Sequence, residues 1–542
     1  MSIFDTIRVR KPKKTNFDLS HEVKLTTNFG TLTPIFCQDV VPGDRFKMSS
    51  EVFIRLAPMI APVMHRVDCY VHFFFVPYRL LWKNWEEFIT GGPDGTSNPV
   101  FPSFKLHPSG SNSTLDHILA SHFGNGSLAD YLGVPDVTQL LKTNGLWRIS
   151  QLPFRAYQTI YQSYYRDQNL TDEIDYKDLP DTLDSQNSSH SGAIMDVCVL
   201  RQRAWEKDYF TSALPDPQRG PEVLLPIQGE ADIIYKQAPD QSNRIYAVNG
   251  VPVTNLTQIK TGNTNVPTTQ DGMPIHWDNS DDLKADLSTA TATTINDLRR
   301  AMKLQEWLEK NARSGARYVE QILAHFGVRS SDARLQRPEY LGGGVTKVQI
   351  SDVVQTTQTS SEAGNLEASP QGNLSGYGIS VGKSNKFKRF FEEHGIVMGI
   401  LSIRPRATYQ QGLSRHLTKF DRFDYYFPEF AHLGEQEIKL RELYATGTAS
   451  DETTFGYTPR YAEYKFIPSS VHGEFRSSLN FWHLGRIFKT PPLLNNGFVT
   501  VSPSDLSRIF AVEDSQDAKF YCQIYNKLIA KRPMPRFGTP LF

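Results

Sequence analysis

The stretch HRVDCYVHFFFVP, residues 65 to 77, limits the folds open to this chain more than any other. From Val67 to Val71 apolar and polar residues alternate. Val67, Cys69 and Val71 therefore share one face of a strand, and Asp68, Tyr70 and His72 share the other. Phe73, Phe74, Phe75 and Val76 then follow in a row, so both faces become apolar. Pro77 stops the ladder, and Leu81, Trp85 and Phe88 recur at helical spacing. A strand of this kind needs a cover on each face, supplied by its own chain or by another molecule.

The neighbouring sequence continues in the same style. HEVKLTTNF, LTPIFCQDVV and RFKMSSEVFIRL read as further strands, separated by Gly30, by PGD and, before the opening stretch, by APMIAP. Strand patterns return late, at GIVMGILSIRP (395 to 405), RYAEYKFIPSSV (460 to 471) and AKFYCQIYNKLIA (518 to 530). Between them, residues 91 to 225 mix loops with short helical pieces, and 226 to 292 is a polar, aperiodic excursion rich in Thr and Asn. A helical tract follows over 293 to 327, opened by Thr294 and Asp297 in the manner of a capping box and interrupted at Gly315. Residues 342 to 385 read as Gly/Ser/Thr/Gln-rich loops. This order predicts a mainly β domain closed by strands from both ends of the chain, with large helical and loop insertions between them.

Charge and cysteine usage remove several classes of function. Lys plus Arg and Asp plus Glu number 58 each, so no bulk charge points to nucleic acid or membrane. The four cysteines, Cys37, Cys69, Cys198 and Cys522, lie far apart without a CxxC pair and read as buried thiols of a protein made in a reducing cytoplasm. The opening residues lack the apolar core of a secretory leader, and no run is long enough to span a bilayer.

No catalytic constellation assembles. GYGISVGKS (376 to 384) ends like a phosphate-binding loop, but Tyr377 stands where the first glycine belongs, and neither flank supplies the strands such a loop needs. Asp271, Asp278, Asp281 and Asp282 lack the spacing of a calcium loop. No H-E-x-x-H or G-x-S-x-G occurs. Neither a cofactor nor a metal is implied. Short basic ends on a neutral body suit phosphate contact instead, which nominates Arg8, Arg10, Lys11, Lys13 and Lys14 at the start and Lys531, Arg532 and Arg536 at the end. The aromatic stripe at 154 to 165 reads as core or interface, and Tyr157, Tyr161, Tyr164, Phe481 and Trp482 are the candidate subunit contacts.

Long phrases in the chain then resemble one family. WEKDYFTSALPDPQRGP (205 to 221), NARSGARYVEQILAHFGVRSSDARLQRPEYLGG (311 to 343), GYTPRYAEYKFIPSSVHGEF (456 to 475), FDYYFPEFAHLGEQ and the closing RPMPRFGTPLF are similar to the major capsid proteins of small icosahedral single-stranded DNA phages, the gokushovirus branch of the Microviridae. That resemblance implies a single viral jelly roll, an eight-stranded antiparallel sandwich, in a T=1 shell around a circular single-stranded DNA genome. It also implies a threefold protrusion, placed here at 226 to 292, and as partners other copies of the chain, a small basic internal protein, scaffolding proteins and a host receptor. In such a fold one face of VHFFFV belongs to the sandwich core, and the helix at 293 to 327 is the expected cover of the other. The rivals are a nucleotide-driven enzyme using Lys383 and a carbohydrate-binding β module.

Overall fold

The computed structural model describes residues 13–93, 96–107, 121–136, 147–173, 176, 178–185, 187–220, 295–314, 318–326, 336–354, 374–511 and 518–537, together with the backbone of six short strands between 232 and 286. The chain forms two compact units. One comprises Met1–Pro217 with Asn311–Phe542, and the other is Gln218–Lys310.

Eleven strands build two antiparallel sheets in the first unit. They are β1 (Thr15–Asp18), β2 (His21–Thr27), β3 (Thr33–Val40), β4 (Arg45–Leu56), β5 (Val67–Pro77), β6 (Glu339–Lys347), β7 (Gln349–Val354), β8 (Leu374–Lys383), β9 (Phe387–Phe390), β10 (Gly395–Pro405) and β11 (Phe520–Arg532). In the seven-stranded sheet β11 pairs with β1, β2 and β4, while β4 pairs on its other side with β8 and β9, and β7 closes the edge. The four-stranded sheet runs β6-β5-β10-β3. Along the chain β2, β4, β8 and β11 fall in one sheet and β3, β5, β6 and β10 in the other. These eight strands make a jelly roll, with the long insertions leaving after β5 and β10.

Alternation along each strand explains the packing. On β4 the inward residues Phe46, Met48, Val52 and Ile54 are buried, as are Cys522, Ile524 and Leu528 on β11. They meet Phe73 and Phe75 of β5 and Val397, Leu401 and Ile403 of β10 in one core between the sheets. Each fully buried ring there contributes about 1.5–3 kcal/mol. Buried polar groups interrupt it; among them Asn526, wholly buried, accepts from Ser50 Oγ at 2.5 Å and donates to the Ile35 carbonyl at 3.0 Å.

The opposite face of β5 answers the question set by VHFFFV. Phe74 and Val76 pack, with Ile396, Met398 and Ile400 of β10, into a second core. Its cover is α1 (Leu152–Ile160) with its π-helical extension Tyr161–Tyr165, together with Leu81 and Trp82. The Tyr164 ring lies 4.8 Å from that of Phe74. Arg155, fully buried, pins this layer through Gln151 Oε1 and the carbonyls of Leu81, Leu179 and Pro180. Among the described residues, none from the expected cover, the tract at 293 to 327, belongs to this core. That tract forms two helices, α2 (Ile295–Ser314) and α3 (Tyr318–Phe326), and leaves Met302 and Phe326 exposed. Thr294, Gly315 and Gly327 lie outside the described residues.

Two further expectations need correction. Residues 342 to 385 are not all loop, because β6, β7 and β8 run through them. RYAEYKFIPSSV is not a strand: Tyr461 has φ +60° and leads into a 3₁₀ turn at Ala462–Tyr464. In the second unit the described strands form three nested antiparallel pairs, Asp232–Tyr235 with Leu283–Asp286, Ile245–Ala247 with Ile275–Trp277, and Lys260–Thr261 with Pro267–Thr268.

Candidate assembly and nucleic-acid surfaces

The basic ends divide into committed and free cations. Arg8, Arg10 and Lys11 lie outside the described residues. Lys14 donates to the Gly43 carbonyl at 2.6 Å and sits 4.9 Å over the Phe390 ring. Arg532 is turned inward: it donates to the Asp39 carbonyl at 2.8 Å, lies 3.5 Å from the Asp44 carboxylate and keeps only 14% of its side chain exposed. A guanidinium so engaged has little left to offer a phosphate. Lys13, Lys531 and Arg536 remain exposed.

The nominated subunit-contact aromatics are mostly used inside the chain. Tyr157 is fully buried; its hydroxyl donates to the Leu32 carbonyl at 2.8 Å and accepts from the Arg201 amide at 3.0 Å. Tyr161 is buried, and Tyr164, half-buried, donates to the Pro338 carbonyl at 2.6 Å. Tyr157 and Tyr161 thus leave almost no side-chain surface for a neighbouring copy, because they roof the second core. Phe481 and Trp482 are half-buried.

Exposed aromatic surface is concentrated elsewhere, between Leu413 and Leu433. Three 3₁₀ turns there, Arg415–Leu417, Arg422–Asp424 and Pro428–Phe430, hold the chain in a compact loop. Asp424 accepts the amides of Phe420 and Asp421, which fixes the middle turn. Phe420 is 86% exposed, and Phe423, Tyr425, Tyr426 and Phe427 are each about half exposed. Ile467, 93% exposed, extends the apolar surface from the adjoining segment with Tyr464 and Phe466. The sequence carries a cue to it: six aromatic residues fall between 420 and 430 without a helical or strand period. Aromatics that no period can bury leave an apolar face.

A charged cavity of about 270 Å³ lies beside this apron, lined by Arg415, Glu435, Gln436, Lys439, Arg460 and Glu463 among others. Its charges brace one another. Arg415 bonds Glu442 at 3.1 Å, Lys419 bonds Glu463 at 3.1 Å, and Glu435 pairs with Arg313. Burial holds the Glu442 carboxyl above its ordinary pKa, while the Tyr209 hydroxyl donates to it at 2.9 Å. This network positions the base of the apron.

Chemistry is not encouraged elsewhere. GYGISVGKS lies on β8, an extended strand paired with β4, and Lys383 forms an ion pair with Glu51 rather than closing a loop. Gly382 is required there because a β-carbon would collide with the Thr346 side chain. The four cysteines are free thiols, and burial pushes Cys37 and Cys69 up to about 12, far from thiolate. Among the described residues no His/Cys/Asp/Glu cluster could hold a metal; Asp271, Asp278, Asp281 and Asp282 fall outside them. No described helix is long and apolar enough to cross a membrane.

A jelly roll carrying large insertions and an aromatic apron is an architecture for making contacts, and comparison with known proteins agrees. A family model described as "Capsid protein (F protein)" matches residues 5–542. The chain belongs to this capsid-protein family. It is 36% identical to capsid protein VP1 of Chlamydia phage 1, over 99% of this chain and 97% of that one. It is 38% identical to capsid protein VP1 of Bdellovibrio phage phiMH2K, over 97% and 95% respectively. Identity to capsid protein VP1 of Spiroplasma virus 4 is 31%, again over 97% and 95%. The capsid protein is thus a structural component of a phage virion, not an enzyme, and it acts by self-assembly.

Proposed function

We propose that the protein is the major shell subunit of a small T=1 icosahedral phage capsid that encloses a circular single-stranded DNA genome. Copies meet through the aromatic apron at 413 to 433 and 464 to 467. The single observation that carries this reading is that apron: a cluster of rings this exposed on a folded chain, braced from beneath by paired charges, marks a surface for a partner to cover. Phe481 and Trp482 keep their place as candidate contacts. Residues 226 to 292 form the protrusion at the threefold axes that touches the host surface. The exposed cations Lys13, Lys531 and Arg536, with Arg8, Arg10 and Lys11, contact the genome, and a small basic internal protein and scaffolding proteins assist. The subunit is made in the host cytoplasm before it enters the virion.

Sedimentation of the expressed protein, with negative-stain microscopy of the heaviest fraction, tests the assembly. Closed shells of one size are expected, with partner proteins added if the chain alone stays small. A chain that remains monomeric with those partners present would overturn the reading.

A further inference from the structure

Among the described residues, most of the outward side chains of the seven-stranded sheet are exposed or half-exposed, and that face is not neutral. On β4 the outward residues are Arg45, Lys47, Glu51, Phe53 and Arg55, with Ser49 buried in the same row. On β11, Tyr521, Gln523, Tyr525, Lys527, Ile529 and Lys531 point the same way. Register places the two rows side by side, with Tyr521 opposite Arg55, Lys527 opposite Ser49, and Lys531 opposite Arg45. Lys24 of β2 joins them opposite Gln523; on the other side Lys383 stands opposite Glu51 and Lys388 opposite Lys47.

This face thus gathers eight cations against three carboxylates, Asp18, Glu22 and Glu51, although the chain as a whole is neutral. Glu51 is already engaged by Lys383. Aromatic rings sit among the charges: Tyr521 is 47% exposed and Tyr377 49%, and Arg55 lies 5.4 Å over the Phe53 ring. A flat basic surface studded with exposed rings offers phosphates a cation and bases a stacking partner, with no device for reading sequence. A strand opened from a duplex fits this face better than a duplex, whose bases are hidden from the rings.

We propose that the outer face of this sheet is a sequence-independent platform for single-stranded nucleic acid, with Lys47, Arg55, Lys527 and Lys531 on phosphates and Tyr521 stacking on bases. This rests on the capsid reading above for the source of the strand, and it extends the contact from the chain ends to a whole sheet. Lys531 links the two, being both part of the basic tail and part of the face.

The test is fluorescence anisotropy of the full-length protein with a labelled oligo(dT) of about 20 nucleotides, long enough to cross such a site, across a salt series. Each lost phosphate contact lowers the salt slope by about 0.7. The triple variant Lys47→Gln/Lys527→Gln/Lys531→Gln should therefore bind more than tenfold more weakly, with a slope shallower by about 2. Tyr521→Ser should weaken binding roughly tenfold and leave the slope alone. The control Lys83→Gln/Arg406→Gln/Lys489→Gln removes exposed cations that lie outside both the sheet and the apron and should change neither. Unchanged binding by the triple variant overturns the proposal, as does wild-type protein that holds anionic phospholipid vesicles but not the oligonucleotide. Sedimentation of the same samples separates the two readings. Shells that form normally from wild-type protein indifferent to oligo(dT) sink this inference alone; a chain that binds through the face yet never assembles sinks the capsid reading alone.

Discussion

At the scale of single residues, the polar groups placed among apolar ones have readable consequences. His72 lies on the outer side of β5, 2.7 Å from the Tyr165 hydroxyl and beside Tyr340. Burial, and then Arg203 and Arg404, lowers its pKa to about 4. Between pH 6.5 and 4 the unfolded chain therefore takes up a proton that folded His72 refuses, so stability falls as the pH drops through that window and is level above it. At about 1.4 kcal/mol per pKa unit, the effect is on the order of 3 kcal/mol. His65, pushed by burial to about 4 as well, adds a second contribution of the same sign. The urea midpoint of unassembled His72→Gln should consequently fall less between pH 7 and pH 4.5 than that of the parent; equal falls would show that His72 is not shielded as described. Asn526 acts by a different route. Asn526→Leu strands the Ile35 carbonyl and the Ser50 hydroxyl in the core, with an expected loss of about 1–3 kcal/mol in chemical denaturation. A neutral result would mean that water reaches them.

At the scale of elements, legibility in the sequence followed the strength of the local period. β2 to β5, β10 and β11 alternate or run apolar, and all six could be placed from residue order alone. β6 and β8 could not. Their glycines, such as Gly343 against the Val71 carbonyl and Gly382 against Thr346, are demanded by neighbouring strands, so tertiary packing removed the very residues that announce a strand. The stripe of α1 was visible, as was the second apolar face of β5. Their partnership was not, because periodicity names a face and never its mate. The basic sheet face was hidden for the same reason: Lys47 and Lys527 are far apart in the chain and converge only through pairing. The apron can be tested as an element. Phe420→Ser/Phe427→Ser should leave the melting temperature of unassembled protein nearly unchanged, since exposed substitutions shift stability within about 0.5 kcal/mol. It should sharply reduce the yield of shells. A lowered melting temperature with normal shell yield would make the apron a folding feature instead.

At the scale of the whole molecule, the first unit draws its core from both sides of the second. Residues before 217 and after 311 supply both sheets. Replacing 226 to 292 with a flexible Gly/Ser linker should therefore preserve folding of the jelly roll and shell formation while abolishing attachment to the host. Loss of soluble protein on excision would show instead that the second unit is needed to fold the first. The position of β11 has a further consequence. This strand pairs on both sides, bridging β1 and β2 to β4, yet it is translated hundreds of residues after them. Until it leaves the ribosome, β4 presents a long unpaired edge above an open core. Completion of the barrel then reports that translation has passed residue 532. A prematurely terminated product cannot pass for a sound subunit: it is left to aggregation or proteolysis, and the growing particle is spared defective copies without a separate inspection step.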